Sequence, residues 1–142
     1  MKKFKLKIVT PERVALSDEV TQVSVETKMG QITILPNHLP LVAELAAGEI
    51  IVKQNEKKED WMAVSGGFIE VLPNQVVILA DTAEYAEEID EQRAEEAKKR
   101  AEELLKEKLT DSEDYAMVAA KLQKELARLK VARRRKNKNK IS

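Results

Sequence analysis

Residues 75–106 read QVVILADTAEYAEEIDEQRAEEAKKRAEELLK, and the composition of the chain changes within this stretch. Its first six residues are mainly valine, isoleucine and leucine, which is typical of a strand. After Asp81 the chain consists mostly of alanine, glutamate, lysine, arginine and leucine, which favour helix. All four glycines and all four prolines lie at or before residue 73. The sequence therefore predicts a β domain over residues 1–85 and a helical domain over residues 86–142.

Upstream of this boundary, apolar residues alternate with polar ones. Phe4, Leu6 and Ile8 are separated by lysines, the pattern of a strand with one buried face. Further short runs of the same kind, bounded by proline, glycine or asparagine, occupy residues 23–25, 31–35, 49–54, 61–65, 68–72 and 75–80. Seven short strands without intervening helices predict an antiparallel β-sandwich or a barrel, and with the helical domain the fold class is α+β.

The helical domain carries two apolar stripes at helical spacing. They consist of Ala83, Ala86, Ala94, Ala97, Ala101 and Leu104, then of Tyr115, Val118, Leu122, Leu126 and Leu129. Between them, Thr110 and Glu113 form the pattern of a capping box, which predicts the start of a second helix and an antiparallel hairpin. The connection contains neither glycine nor proline, so the hairpin is predicted to be able to straighten into an extended helix.

Several classes of site are excluded by composition. The chain has no cysteine and one histidine, so thiolate and histidine metal sites and a cysteine nucleophile are not expected. No glycine lies in a phosphate-binding loop frame, and Ser65 lacks the glycine that a nucleophile elbow needs two residues earlier. His38, between two prolines, is interpreted as a structural or interface residue. We expect no catalytic residue, no metal and no membrane-spanning segment.

Charge is divided unequally along a chain of zero net charge. Residues 1–86 contain 9 basic and 12 acidic side chains, and residues 87–142 contain 16 and 13. The basic residues cluster near the C-terminus, around Arg133, Arg134 and Arg135 and on through the basic tail 133–142. Such a run is either a solvated, disordered tail or a surface for an anionic partner. A β-domain adaptor whose basic tail binds nucleic acid is the alternative function, although no interleaved aromatic residue favours base stacking.

An acid and two arginines share one side of the first predicted helix. Asp90, Arg93 and Arg100 are spaced so that they lie along one stripe, and Asp90 interrupts the alanines. A charge at an apolar interface usually has a partner. That partner is either Arg93, one turn away, or a ligand whose phosphates the arginines bind.

Four segments together resemble the epsilon subunits of F-type ATP synthases. They are residues 9–12 (VTPE), 34–42 (ILPNHLPLV), 63–71 (AVSGGFIEV) and 78–80 (ILA). Their order and spacing match over residues 4–132.

The resemblance implies a non-catalytic rotor subunit of the central stalk that couples ion transport through the membrane ring to ATP synthesis. Its implied partners are the gamma subunit and the c-ring, with His38 at the rotor interface and no nucleic acid. An extended hairpin would reach the alpha/beta catalytic head and inhibit ATP hydrolysis there. Membrane association would come only through the complex, on the cytoplasmic side of a bacterial cell membrane.

The resemblance also implies regulatory ATP binding, with no cofactor required. Residues 89–94 (IDEQRA) fit the motif of the ATP-sensing members. It assigns as ATP ligands Glu84, Asp90, Arg93, Arg100, Lys124 and Arg128. Lys124 departs from the arginine of the family pattern and offers a point charge instead of a bidentate fork. Arg133, Arg134 and Arg135 become the inhibitory tip.

Overall fold

The computed structural model describes the backbone of residues 2–107 and 112–141, and the side chains of residues 2–107 and 113–135. Nine strands come first: β1 Phe4–Val9, β2 Val14–Val20, β3 Gln22–Thr27, β4 Gly30–Ile34, β5 Leu41–Lys53, β6 Glu59–Val64, β7 Gly67–Val71, β8 Gln75–Ala80 and β9 Ala83–Tyr85. A 3-10 turn, Ala86–Glu88, leads to the helices α1 Glu91–Lys106 and α2 Ser112–Ile141. The predicted β-sandwich followed by two helices is confirmed.

The long strand β5 joins two groups of strands. Its first part, Leu41–Leu45, pairs with β7, which continues through β8 and β1 to β2. Its second part, Gly48–Lys53, pairs with β6 on one side and with β3 on the other. Only residues 49–54 are predicted as a strand, because the earlier part of β5 shows no clear alternation.

One core fills the space between these strands. Alternate residues of β1, β7 and β8 are buried, including the predicted Phe4, Leu6 and Ile8 of β1. Leu45 and Ile50 of β5 also lie in this core, so the strand contributes to it with both parts. Burial of this apolar surface is the main stabilising contribution to the β domain.

One strand pair differs from the predicted antiparallel arrangement. β1 pairs with β8 in parallel, from Lys5 beside Gln75 to Val9 beside Leu79. All other pairings between the described strands are antiparallel. Alternation within a strand identifies its buried face but carries no information about the direction of its neighbour.

The prediction of helix directly after Asp81 is wrong for the first residues. Ala83–Tyr85 form β9 on β6, and α1 begins only at Glu91. Ala83 therefore lies in the core of the β domain, and Ala86 lies in the 3-10 turn. Helix propensity amounts to less than about 1 kcal/mol per residue even for alanine and glutamate, and pairing with β6 outweighs that preference here.

The two helices lie antiparallel on the β domain. α2 packs against α1, β5 and β6, and ion pairs place its C-terminal half beside the start of α1. The predicted stripes are wrong in part: Leu104, Tyr115 and Leu126 are exposed, and Val131, which lies outside the predicted stripe, is fully buried. The apolar contact of α2 is with the sheet as well as with α1, so its buried face turns away from the predicted stripe.

Two further predictions concern the connection between the helices and the basic C-terminal segment. The predicted turn at Thr110 lies outside the described residues. The backbone of the basic segment is helical as far as Ile141, where α2 ends. No described helix combines the length and apolar character that crossing a membrane requires.

Candidate regulatory site

Two of the predicted ATP ligands, Arg128 and Glu84, are in contact where α2 crosses β9. The guanidinium of Arg128 donates to both carboxylate oxygens of Glu84, through Nε at 2.8 Å and Nη2 at 3.3 Å. It also donates from Nη1 to Glu125 at 2.9 Å, one turn back on the same helix. Arg128 thus bridges an acid of the β domain and an acid of α2.

The surroundings of Arg128 have two opposite effects on its charge. Burial lowers the pKa of Arg128. The hydrogen bonds and negative charges of Glu125 and Glu84 together raise this pKa by a larger amount, so the net shift is upward. Three of its five N–H groups are already used. A phosphate that binds here can use only the two remaining N–H groups unless it displaces a carboxylate.

Lys124 lies one turn before Arg128 and lines the same region as Glu84. Both border a cleft of about 460 Å³ between α2 and the start of the β domain. The other charged side chains around this cleft are Glu12, Arg13, Asp81 and Glu88. Acids outnumber bases in the lining, so the cleft alone does not favour a triphosphate.

Asp90 and Arg93 form a second group at the start of α1. Asp90 is the N-cap residue: its carboxylate accepts a hydrogen bond from the Arg93 amide at 3.1 Å. The two side chains are 56% and 84% exposed and 3.7 Å apart. The expectation that Asp90 occupies an apolar interface is therefore wrong, because the helix begins at this residue and its carboxylate turns to the free amides of the first turn.

The two groups are separated along the hairpin. Arg133 contacts Glu91 and Glu95, which places the start of α1 beside a point on α2 five residues beyond Arg128. Five residues of helix span about 7.5 Å. Arg100 is exposed on α1, farther along that helix. A single ligand that contacts all six predicted residues would have to extend along the groove between the helices.

The three arginines of the predicted inhibitory tip are ion-paired within the chain. Arg133 binds Glu91 and Glu95 of α1, and Arg135 lies 3.5 Å from Glu87. Arg134 donates from Nε and Nη2 to the two oxygens of Glu49, at 2.7 and 2.9 Å. The arginines of the tip are therefore paired with acidic side chains of the same chain.

His38 lies in the loop between β4 and β5. Its Nδ1 lies 2.7 Å from the carbonyl oxygen of Leu39, and its amide donates to Leu35. Leu35 and Leu39 are both more than half exposed. Ser65 lies in the turn before β7, and its hydroxyl oxygen accepts a hydrogen bond from the hydroxyl of Thr82 at 2.8 Å.

A second exposed apolar surface lies on the outer face of β5, β7 and β8. Val42, Phe68 and Leu79 are each more than half exposed, and Phe68 pairs with Leu79 across the two strands. They border a shallow groove of about 140 Å³ that also includes Val77 and Glu70. We name this surface the outer apolar patch.

Sequence reasoning missed several acids of the site. Glu125 could have been found, since it lies three residues before Arg128 on the same helix. Glu49 gives no signal in the sequence, because it is separated from Arg134 by 85 positions. The same is true of Glu88, which binds Arg13 from 75 positions away.

Comparison with protein families gives a match over both domains. Residues 3–86 match the model of the β-sandwich domain of the ATP synthase delta/epsilon chain. Residues 87–133 match the model of its long α-helix domain.

Curated relatives match over nearly the whole chain. The ATP synthase epsilon chain of Chloroflexus aggregans is 50% identical over 137 residues, 96% of this chain and 97% of the relative. That of Herpetosiphon aurantiacus is 47% identical over 134 residues, 94% of this chain and 97% of the relative. That of Moorella thermoacetica is 45% identical over 132 residues, 93% and 98% of the two chains.

Solved structures share the fold. A chain of the Euglena gracilis mitochondrial ATP synthase (OSCP/F1/c-ring) superposes with a TM-score of 0.78 at 24% identity, covering 88% of this chain and 78% of that one. A chain of the central stalk/c-ring of the Tetrahymena thermophila enzyme superposes with a TM-score of 0.62 at 14% identity, covering 92% and 97%. The chain thus belongs to the ATP synthase delta/epsilon family and is a non-catalytic subunit.

Proposed function

We propose that this chain is a rotor subunit of the central stalk of a bacterial F-type ATP synthase. The observation that carries the proposal is the match to bacterial epsilon chains over both domains at 45–50% identity. In this role the chain couples ion transport through the membrane ring to ATP synthesis. It is held at the cytoplasmic side of the cell membrane by the complex.

The β domain supplies the proposed rotor contacts. The outer apolar patch, with Val42, Phe68 and Leu79, is suited to a partner that covers apolar surface, such as the gamma subunit. The loop around His38, with Leu35 and Leu39 exposed, forms a second contact, toward the c-ring. A stalk subunit needs two contacts of this kind because it transmits torque between neighbours.

The hairpin supplies the proposed regulation. In the docked position its arginines are paired with acids of the chain itself, which is the non-inhibitory state. When the hairpin extends, Arg133, Arg134 and Arg135 become available to acidic surfaces of the alpha/beta catalytic head and inhibit hydrolysis there. Charge complementarity supports this docking.

ATP is the proposed regulatory ligand of the docked state. Arg128 and Lys124 on α2, and Asp90 and Arg93 on α1, lie on the two helices that extension would separate. A ligand that binds both helices favours docking by RT ln(1+[L]/Kd), about 2.7 kcal/mol at a hundredfold excess over Kd. Low ATP then increases the extended population.

The decisive experiment compares assembled enzymes with and without residues 129–142. Removal of this segment deletes the tip, so we expect faster ATP hydrolysis while the truncated chain still copurifies with the gamma subunit. Unchanged hydrolysis would refute the regulatory role. Failure of the full chain to copurify with gamma would refute the rotor assignment itself.

A further inference from the structure

Glu49, Ala63 and Glu84 form one row across three neighbouring strands. Glu49 of β5 pairs with Ala63 of β6, and Ala63 pairs with Glu84 of β9. Residues paired in this way point to the same face of a sheet. The row therefore presents an acid, a small apolar residue and a second acid to α2.

α2 presents a complementary series to that row. Arg128 binds Glu84, Val131 packs in one cluster with Ala63, and Arg134 binds Glu49. These three helix residues are spaced three apart, so the outer two lie about 9 Å apart along the axis. Two strand spacings measure about 9.6 Å. The distance between the two arginines along the helix thus agrees with the distance between the two acids across the strands. α2 therefore crosses the strands with each arginine opposite an acid.

α2 covers Glu49 and shields its side chain almost completely from solvent. Its side chain is 4% exposed, and the bidentate contact with Arg134 satisfies both oxygens. A buried carboxylate without a partner is strongly unfavourable. Displacement of α2 by one helical turn would put an arginine opposite Ala63 and leave neither acid opposite an arginine. The charges therefore define one docked position.

Gly48, next to Glu49, allows a further contact. A side chain at this position would clash with the carboxylate of Glu26, which lies across the glycine. In that position Glu26 accepts a hydrogen bond from Lys130 at 3.1 Å. Lys130 lies between Arg128 and Arg134 on α2, so the absence of a side chain at Gly48 contributes to the same docking surface.

We propose that the pairs Glu84–Arg128 and Glu49–Arg134, on either side of Val131, act as a two-point charge lock that holds the hairpin in its docked position and keeps the basic tip from other acidic partners. Arg134 cannot bind Glu49 and an external acid at the same time. Release of the tip thus requires opening of the lock. The consequence for inhibition rests on the proposed function, whereas the lock itself is a property of the isolated chain.

Hydrogen exchange on the isolated full chain tests the lock directly. We expect Glu49→Gln and Arg134→Gln each to increase exchange of the amides of residues 125–134 about tenfold or more, because each removes a charge-assisted pair. Arg134→Lys, which keeps the charge and loses the fork, should have a smaller effect. Trp61, the chain's single tryptophan, packs against the cluster of Ala63 and Val131 and should shift its emission to longer wavelength as α2 leaves.

Matched controls separate the lock from general loss of charge. Glu103→Gln on α1 and Lys121→Gln on α2 change the same charges at exposed positions and should leave exchange unchanged. Protection of β1 and β8 amides reports whether the β domain stays folded in Glu49→Gln, and Arg134→Gln tests the lock without altering that domain. The double variant Glu49→Arg, Arg134→Glu should recover part of the protection.

The lock is refuted if Glu49→Gln and Arg134→Gln exchange like their controls. If that happens while removal of residues 129–142 still increases hydrolysis, the regulatory function stands without the lock. If the lock variants behave as expected and hydrolysis is insensitive to the truncation, the lock stands and the regulatory function fails. The two proposals are thereby tested separately.

Discussion

Arg13 and Glu88 join the start of the β domain to the turn that precedes α1. Nη2 of Arg13 donates to the two carboxylate oxygens of Glu88, at 2.9 and 3.0 Å, and to the carbonyl of Ala83 at 3.0 Å. Nearby, the hydroxyl of Tyr85 donates to the carbonyl of Ala15. These contacts fix β9 and the 3-10 turn, and so determine where the helices leave the sheet.

The Arg13–Glu88 pair predicts a pH-dependent contribution to stability. The hydrogen bond from Arg13 lowers the pKa of Glu88, against a smaller upward effect of burial. The pair therefore stabilises the fold above the ordinary glutamate pKa of about 4.3, and this contribution is lost as the pH falls through the lowered value. Both side chains are more than a third exposed, so screening limits the effect to about 0.5 kcal/mol.

Urea unfolding of Glu88→Gln at two pH values measures that contribution. We expect the variant to be less stable than the parent chain at pH 7, by about 0.5 kcal/mol. At a pH low enough to protonate Glu88 in the parent as well, the difference should disappear. An equal difference at both pH values would mean that shape, and not charge, explains the effect.

Gly67→Ala is expected to destabilise the β domain strongly. Gly67, the first residue of β7, has φ 135°, and a Cβ there would clash with the carbonyl of Leu79. Gly30→Ala is the matched control, since Gly30 has φ 116° but open space around it. The backbone conformation costs about 1–3 kcal/mol at either site. Thermal unfolding should show a distinctly larger loss for Gly67→Ala, and equal losses would contradict the clash.

Calorimetry with millimolar ATP tests the nucleotide site. The isolated chain should bind, and the double variant Asp90→Ala, Arg93→Ala should bind about a hundredfold more weakly, because charge-assisted hydrogen bonds contribute about 1.5–3 kcal/mol. Lys124→Arg should tighten binding about fivefold, since arginine offers a bidentate fork. Lys121→Arg, one turn away and exposed, should have no effect. Equal binding by the double variant would refute the assignment.

Phe68→Glu should weaken assembly with the rotor. It places a charge at the centre of the outer apolar patch, where the proposed partner covers apolar surface. We expect at least about a tenfold loss of copurified gamma subunit, equivalent to about 1.4 kcal/mol. Met29→Glu introduces the same charge at a fully exposed position in the turn between β3 and β4 and should assemble normally. Equal assembly of both variants would exclude this patch as the interface.

The local features of the β domain were predictable from the sequence. Alternation identified the buried residues of β1, and Gly66 and Gly67 marked the turn where both have positive φ. The parallel pairing of β1 with β8 and the strand β9 were not predictable, because both depend on a distant partner. Pairing between strands is decided by the whole sheet, whereas alternation is decided within each strand.

The candidate site was predictable only on the helices. The spacing of Arg128, Val131 and Arg134 is visible in the sequence as a repeat of three. Their partners Glu84 and Glu49 lie 44 and 85 positions away, so no helical offset connects them. Asp90 was placed wrongly because it is the N-cap of α1 and not part of the helix, and helix boundaries are difficult to predict from sequence.

The parallel pairing of β1 with β8 also determines when the protein can fold during its synthesis. β1 has a free edge until residues 75–79 leave the ribosome, so the sheet closes only after more than half of the chain has been made. The acids that receive α2, from Glu26 to Glu84, all precede the helices in the chain. The β domain can therefore be completed before α2 is synthesised, so we expect the hairpin to dock after the sheet has formed.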